Sequence, residues 1–213
     1  WREAPETSGN DDILRKADNP FSPDGGLRLM KGNIGRGVIK VSAVREGCRI
    51  IEAPAIVFND QREVLAAFER GELERDFVCV VRYQGPRANG MPELHKLTPP
   101  LGILQDRGFK VALLTDGRMS GASGKVPASI HMTPEALMGG NIAKIRTGDL
   151  IRFDSVTGEL NVLINKAEWN AREVERIDLS ANQQGCGREL FANFRSMTSS
   201  AETGAMSFGG EFA

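Results

Sequence analysis

Residues 111–131, VALLTDGRMSGASGKVPASIH, constrain the fold more than any other stretch of this chain. Val111-Ala112-Leu113-Leu114 is a short apolar run closed by turn residues, which reads as a buried strand. The chain then becomes polar and glycine-rich from Thr115 to Lys125, and a second apolar run follows from Val126 to Ile130. A strand that empties into a Gly/Ser loop carrying Asp116, Arg118 and Lys125 suits a small-molecule site. Glycine lets backbone N–H groups approach an anion, and the cations add charge. The same composition also builds an ordinary surface hairpin, so the loop alone leaves both readings open.

Spacing removes the common alternatives. A P-loop would need its first glycine at Met119 and a hydroxyl residue at Val126. A nucleophile elbow around Ser120 would need glycines where Arg118 and Ala122 stand. Glycines at 117, 121 and 124 do not form the dinucleotide pattern G-x-G-x-x-G.

With 213 residues the chain can bury one sizeable core or two small ones. A net charge of −1 gives no basic field for nucleic acid, and no apolar run reaches membrane-spanning length. Cys48, Cys79 and Cys186 are odd in number, far apart and form no C-x-x-C pair, which argues against a zinc site or a disulfide framework. Reduced thiols in a cytoplasmic protein fit best, with Cys79 buried in Phe77-Val78-Cys79-Val80-Val81. The chain opens on Trp1 and reads as a fragment of something longer.

Residues 1–24 read as a linker or arm, with one apolar contact at Ile13-Leu14. Strands are expected at Leu27 to Met30, Val38 to Val41, Arg49 to Glu52, Ala55 to Phe58 and Phe77 to Tyr83. A helix capped at Asn59 or Asp60 runs to about Arg70. An irregular loop, QGPRANGMPELHKL, carries Glu93. Thr98-Pro99 and Thr133-Pro134 each read as N-cap plus first-turn proline of a helix. Short strands follow at Lys144 to Arg146, Leu150 to Phe153 and Leu160 to Ile164, then a helix from Lys166 to Arg176. Residues 181–213 read as a tail packing on a neighbouring domain or subunit. The sum is a β-rich α/β domain over residues 25–180. Its two irregular loops, around Glu93 and around Ser120, each follow a buried strand and can share one end of the sheet.

The segments GMPELHKLTPP, ALLTDGRMSGASGKVPASIHMTPEA and GGNIAKIRTGDLIRFD resemble the C-terminal domain of the dihydroxy-acid dehydratase / 6-phosphogluconate dehydratase family. LRLMKGNIGRGVIKVSAV and the tail GCGRELFANFRSMTSSAETGA point to the phosphogluconate branch. The resemblance implies a swivelling β/β/α domain with a mixed, barrel-like sheet flanked by helices. It implies dehydration of 6-phosphogluconate to its 2-keto-3-deoxy acid, with an iron–sulfur cluster, expected to be 4Fe–4S, ligated by an N-terminal domain absent from this sequence. Ser120 matches the family's proposed base for the C2 proton, and Glu93 a magnesium ligand of its dihydroxy-acid and sugar-acid branches. Arg118, Gly121, Ser123 and Lys125 are the expected substrate-binding positions. Glycine and alanine amides at 121 and 122 would help a serine hydroxyl act as a base. Asp116 is expected to brace the loop, His131 to be structural, and His95 is left open between a structural and a general-base role.

None of the three cysteines matches a cluster motif. The implied partners are the chain's own N-terminal domain, a second copy in a homodimer and a sugar-acid phosphate, with neither nucleic acid nor membrane. Two other readings stand beside this one: a dehydratase of another dihydroxy or sugar acid, and a non-catalytic binding or dimerisation domain. The chain alone is expected to be inactive.

Overall fold

The computed structural model describes residues 1–3, 5–22, 25–120 and 124–208. Eight strands form a closed barrel: β1 (Leu27–Gly32), β2 (Gly35–Lys40), β3 (Ile50–Phe58), β4 (Phe77–Val81), β5 (Val111–Thr115), β6 (Ala128–Thr133), β7 (Leu150–Asp154) and β8 (Glu159–Val162). Around the barrel they run β1-β2-β6-β5-β4-β3-β7-β8. From β3 through β4 and β5 to β6 the pairing is parallel, whereas β1/β2, β2/β6, β3/β7 and β7/β8 are antiparallel. This is the mixed, barrel-like α/β sheet expected from the sequence.

The unbroken apolar runs of β4 and β5 follow from burial on both faces. Val78, Val80, Ala112 and Leu114 point into the barrel with Met30, Ile51, Phe153 and Leu160. Phe77, Cys79, Val81, Val111 and Leu113 point outward under two helices. Those are α1 (Gln61–Glu69), contributing Val64 and Ala67, and α3 (Thr98–Asp106), contributing Leu101 and Leu104. Three short helices complete the set: α2 (Pro86–Asn89), α4 (Lys166–Ala171) and α5 (Ala192–Met197). No helix among the described residues is long and apolar enough to cross a membrane.

Several local expectations are corrected. The two strands expected on either side of Pro54 are one strand, β3. It pairs with β7 over residues 50–54 and with β4 over 55–58, so the proline lies where the strand changes partner and its missing N–H breaks little. Thr98 does not cap α3; it lies within the helix, and its hydroxyl meets the Met119 sulfur. After Thr133-Pro134 only a single tight turn forms, Ala136–Met138. Residues Asn141–Lys144 form another such turn, no strand forms over the expected Lys144 to Arg146, and α4 ends at Ala171 rather than Arg176. Ile13 and Leu14 are largely exposed and make no apolar anchor.

Candidate functional site

The two irregular loops lie together at one end of the parallel strands. Gln84 to Leu94 leaves β4, and Asp116 to Ser120 leaves β5; residues Glu93 and Arg118 pair as an isolated parallel bridge. The Leu94 N–H donates to the Arg118 carbonyl at 3.2 Å. Gly117 permits this approach, because a Cβ there would lie 2.7 Å from the Gln84 side chain and 3.0 Å from Leu94. Its role is close packing of the two loops.

Glu93 is the clasp between the loops. One carboxylate oxygen accepts from Arg118 Nη1 at 2.9 Å, and the other accepts the Ser120 backbone N–H at 2.7 Å. Arg118 Nε donates to the Met91 carbonyl at 2.7 Å. Glu93, Arg118 and Ser120, chosen from the sequence for separate roles, are thus one connected unit. Ser120 is exposed and borders a groove of about 40 Å³ with Lys40 and Gly124. Gly121 and Ser123, the other expected substrate contacts, lie outside the described residues. Lys125 is paired with Asp106 at 2.5 Å, on the α3 side of the loop. Both partners are well exposed, so this pair contributes little and is readily exchanged.

Beneath the loops lie two buried carboxylates. Asp116 is fully buried and accepts the Gln84 and Ala136 N–H groups, each at 2.9 Å. Burial pushes its carboxyl up to about 6, against the pull of those N–H groups. Glu135 accepts from the N–H groups of Arg87 and Ala88 at 3.0 and 3.2 Å, and burial also raises it. Asp116 therefore braces the loop, as expected, and Glu135 holds α2. Gly85 makes room for that contact: a Cβ there would lie 2.0 Å from a Glu135 oxygen.

A larger cleft, about 450 Å³, opens on the other side of Arg118. Its lining includes Met91, Arg118 and His131 from the barrel end, and Thr198, Ala201, Gly204 and Ala205 from the tail. Sequence reasoning missed this wall and treated His131 as structural. His131 lines the cleft with φ +57°, and its N–H donates to the Gly117 carbonyl at 2.9 Å. Burial, then the Arg118 charge, lowers its pKa, which favours the neutral ring. A left-handed residue within a strand leaves no mark in composition or periodicity. His95 is exposed and does not line this cleft.

No group of three or more His, Cys, Asp or Glu residues among the described ones is placed to hold a metal ion. Glu93 is a hard oxygen donor, and each of its oxygens has a further lone pair, so it fits as one ligand of a magnesium ion completed by other groups. The cysteines are dispersed: Cys79 is fully buried, with its thiol pushed up by burial, while Cys48 is half-buried and Cys186 exposed. They do not form a cluster site.

Residues 12–205 match the family model described as dihydroxy-acid/6-phosphogluconate dehydratase C-terminal. The chain is similar to phosphogluconate dehydratase of Pseudomonas aeruginosa, 64% identical over 98% of this chain and 34% of the relative. It is similar to phosphogluconate dehydratase of Escherichia coli K12, 57% identical over 96% of this chain and 34% of the relative. Dihydroxy-acid dehydratase of Pyrococcus furiosus is 36% identical over 92% of this chain and 35% of its own length. The chain spans about a third of the length of these relatives.

Proposed function

This chain belongs to the dihydroxy-acid/6-phosphogluconate dehydratase family, as its C-terminal domain, and on that footing we propose that it is part of a hydro-lyase converting 6-phosphogluconate to 2-keto-3-deoxy-6-phosphogluconate. The observation that carries the reading is the clasp in which one carboxylate, Glu93, engages both Arg118 and the Ser120 backbone. It joins the two motifs of the chain into one preorganised unit at a strand end beside a cleft.

In this reading Ser120 Oγ, as its alkoxide stabilised by a nearby cation and loop amides, takes the C2 proton. The C2–H electron pair forms the C2–C3 double bond, the C3–O bond breaks, and the proton Ser120 took passes to the departing 3-hydroxyl, which leaves as water and restores the base. The resulting enol rearranges to the 2-keto acid. Glu93 fixes the Ser120 main chain, so the hydroxyl needs little reorganisation. Arg118 supplies positive charge for the substrate's anionic groups, and Lys125 can be recruited from its exposed pair with Asp106. Departure of the 3-hydroxyl is left to groups outside this chain, where the family's iron–sulfur cluster would be held as a Lewis acid. Glu93 would be this chain's one ligand to a magnesium ion. The proposed partners are the rest of the same protein and a second copy in a homodimer, and exposed Leu27, Leu29, Phe191 and Phe208 support such packing. Free cysteines support a cytoplasmic setting.

The test is an anaerobic dehydration assay of the full-length protein with 6-phosphogluconate, and of its Ser120→Ala variant. The wild type should produce the keto acid, and the variant should lose nearly all turnover while retaining cluster absorbance. Turnover retained by the variant removes Ser120 as the base. Turnover by the wild type only of unphosphorylated sugar acids or dihydroxy acids moves the protein to another branch. The 213-residue chain alone should be inactive.

A further inference from the structure

The tail is tied down on the far side of the cleft at separate points. Arg36, on β2, holds Glu202 through two parallel hydrogen bonds, both 2.7 Å. Arg87 Nε donates to the Thr198 carbonyl at 2.6 Å. The segment also closes on itself: Ser199 N–H donates to the Met206 carbonyl at 3.0 Å, Ala205 N–H to the Ser200 carbonyl at 2.9 Å, and the Thr198 and Ser207 hydroxyls are 2.8 Å apart. Residues 198–207 therefore form a self-braced turn clamped to β2 and to α2. It faces Arg118 and His131 across the 450 Å³ cleft.

The side chains of the two walls differ in kind. Arg118 and His131 offer a cation and a neutral imidazole on one side. Ala201, Gly204 and Ala205, facing them, offer almost no side chain. A wall of small residues opposite a cation keeps room for a long, hydroxylated anion, and the volume falls within the range of small-molecule sites, roughly 300–1,000 Å³. A small lining residue also sets width, because a large side chain at Ala201 would compete for the cleft's space.

We infer that the turn 198–207 walls the end of the substrate site remote from Ser120, across Arg118 from the reacting carbons, with Ala201 setting its width and the Arg36–Glu202 pair holding it in place. The inference rests on the dehydratase reading above and adds to it a specificity-determining element in the tail. Ala201 acts by shape. Arg36 and Glu202 are positioning residues, which act through the wall.

The experiment is steady-state kinetics of the full-length enzyme with 6-phosphogluconate for the wild type, Ala201→Phe, Arg36→Ala and the charge swap Arg36→Glu/Glu202→Arg. Ala201→Phe should raise KM roughly tenfold or more, as expected for a side chain misfitted into a pocket. Its kcat should stay within about threefold, the pattern of lost ground-state binding. Arg36→Ala should raise KM in the same way, and the swap should restore it to within about threefold of wild type, because the ion pair is remade. KM within about twofold of wild type in both Ala201→Phe and Arg36→Ala overturns the inference. If Ala201→Phe does not fold, judged by circular dichroism and cluster absorbance, Arg36→Ala and the swap decide. A wild type that does not dehydrate 6-phosphogluconate sinks the dehydratase reading, and the wall with it. That outcome is distinct from an active wild type whose variants are unchanged.

Discussion

Asp116→Asn tests whether a buried charge braces the loop that follows β5. The carboxylate is fully buried, with one oxygen on the Gln84 N–H and the other on the Ala136 N–H. Asparagine keeps one acceptor and turns an amide donor toward the other N–H. Leaving that buried donor unsatisfied costs about 1–3 kcal/mol. The substitution also removes a titration. The folded carboxyl is raised from 3.8 to about 6, so its contribution to stability is fully present below the unfolded value and is lost as pH rises through the folded value. Between pH 7.5 and pH 5 the wild type should therefore gain about 1.4 kcal/mol from this group, and the asparagine variant should gain none of it. The assay is urea unfolding of both proteins, followed by far-ultraviolet circular dichroism, at the two pH values. Taking the difference between the proteins at each pH largely cancels the other titrating groups, Glu135 included. The gap should widen by roughly 1.4 kcal/mol on acidification. A gap that stays constant, or widens toward alkaline pH, refutes the claim that Asp116 is a destabilised buried charge.

Other perturbations probe the remaining parts. Glu93→Gln leaves the half-exposed Arg118 without its counter-charge. Unfolding free energy should change by less than about 1 kcal/mol, while kcat in the full-length enzyme should fall at least about tenfold as the loop loses its clasp; unchanged kcat would show the clasp to be idle. Leu114→Ala opens a cavity on the barrel side of β5 and should cost about 2–5 kcal/mol in a urea melt, whereas a loss below about 1 kcal/mol would contradict its complete burial. Lys125→Ala breaks only an exposed pair, so thermal unfolding should register a change within about 1 kcal/mol; a larger loss would show that the Asp106 contact is structural.

How far the sequence could be read depended on the range of the forces involved. Apolar runs at 77–81 and 111–115 announce doubly buried strands, because the pattern records burial on both faces without regard to what covers them. Asp60 announces α1 because capping is a contact between residues two apart, and its carboxylate accepts the Arg62 N–H at 2.7 Å. The same local logic failed at Thr98 and at Thr133-Pro134. Thr98 instead meets Met119, 21 residues away, and Thr133 is taken up as the last residue of β6.

Within the site, the sequence by itself determined the chemical inventory: a serine, a carboxylate, an arginine and a lysine on two glycine-bearing loops after buried strands. Tertiary structure alone decided how they connect. Glu93 meets Arg118 and Ser120 because β4 and β5 are parallel neighbours and their following loops leave from the same end of the barrel. His131 lines the cleft with its backbone left-handed inside β6. Ala201 reaches the same cleft because Arg36, 166 residues from Glu202 in the chain, clamps the tail there. A contact of that separation leaves no period or spacing in the sequence. It exists only once the barrel has closed and brought β2, β6 and the tail together.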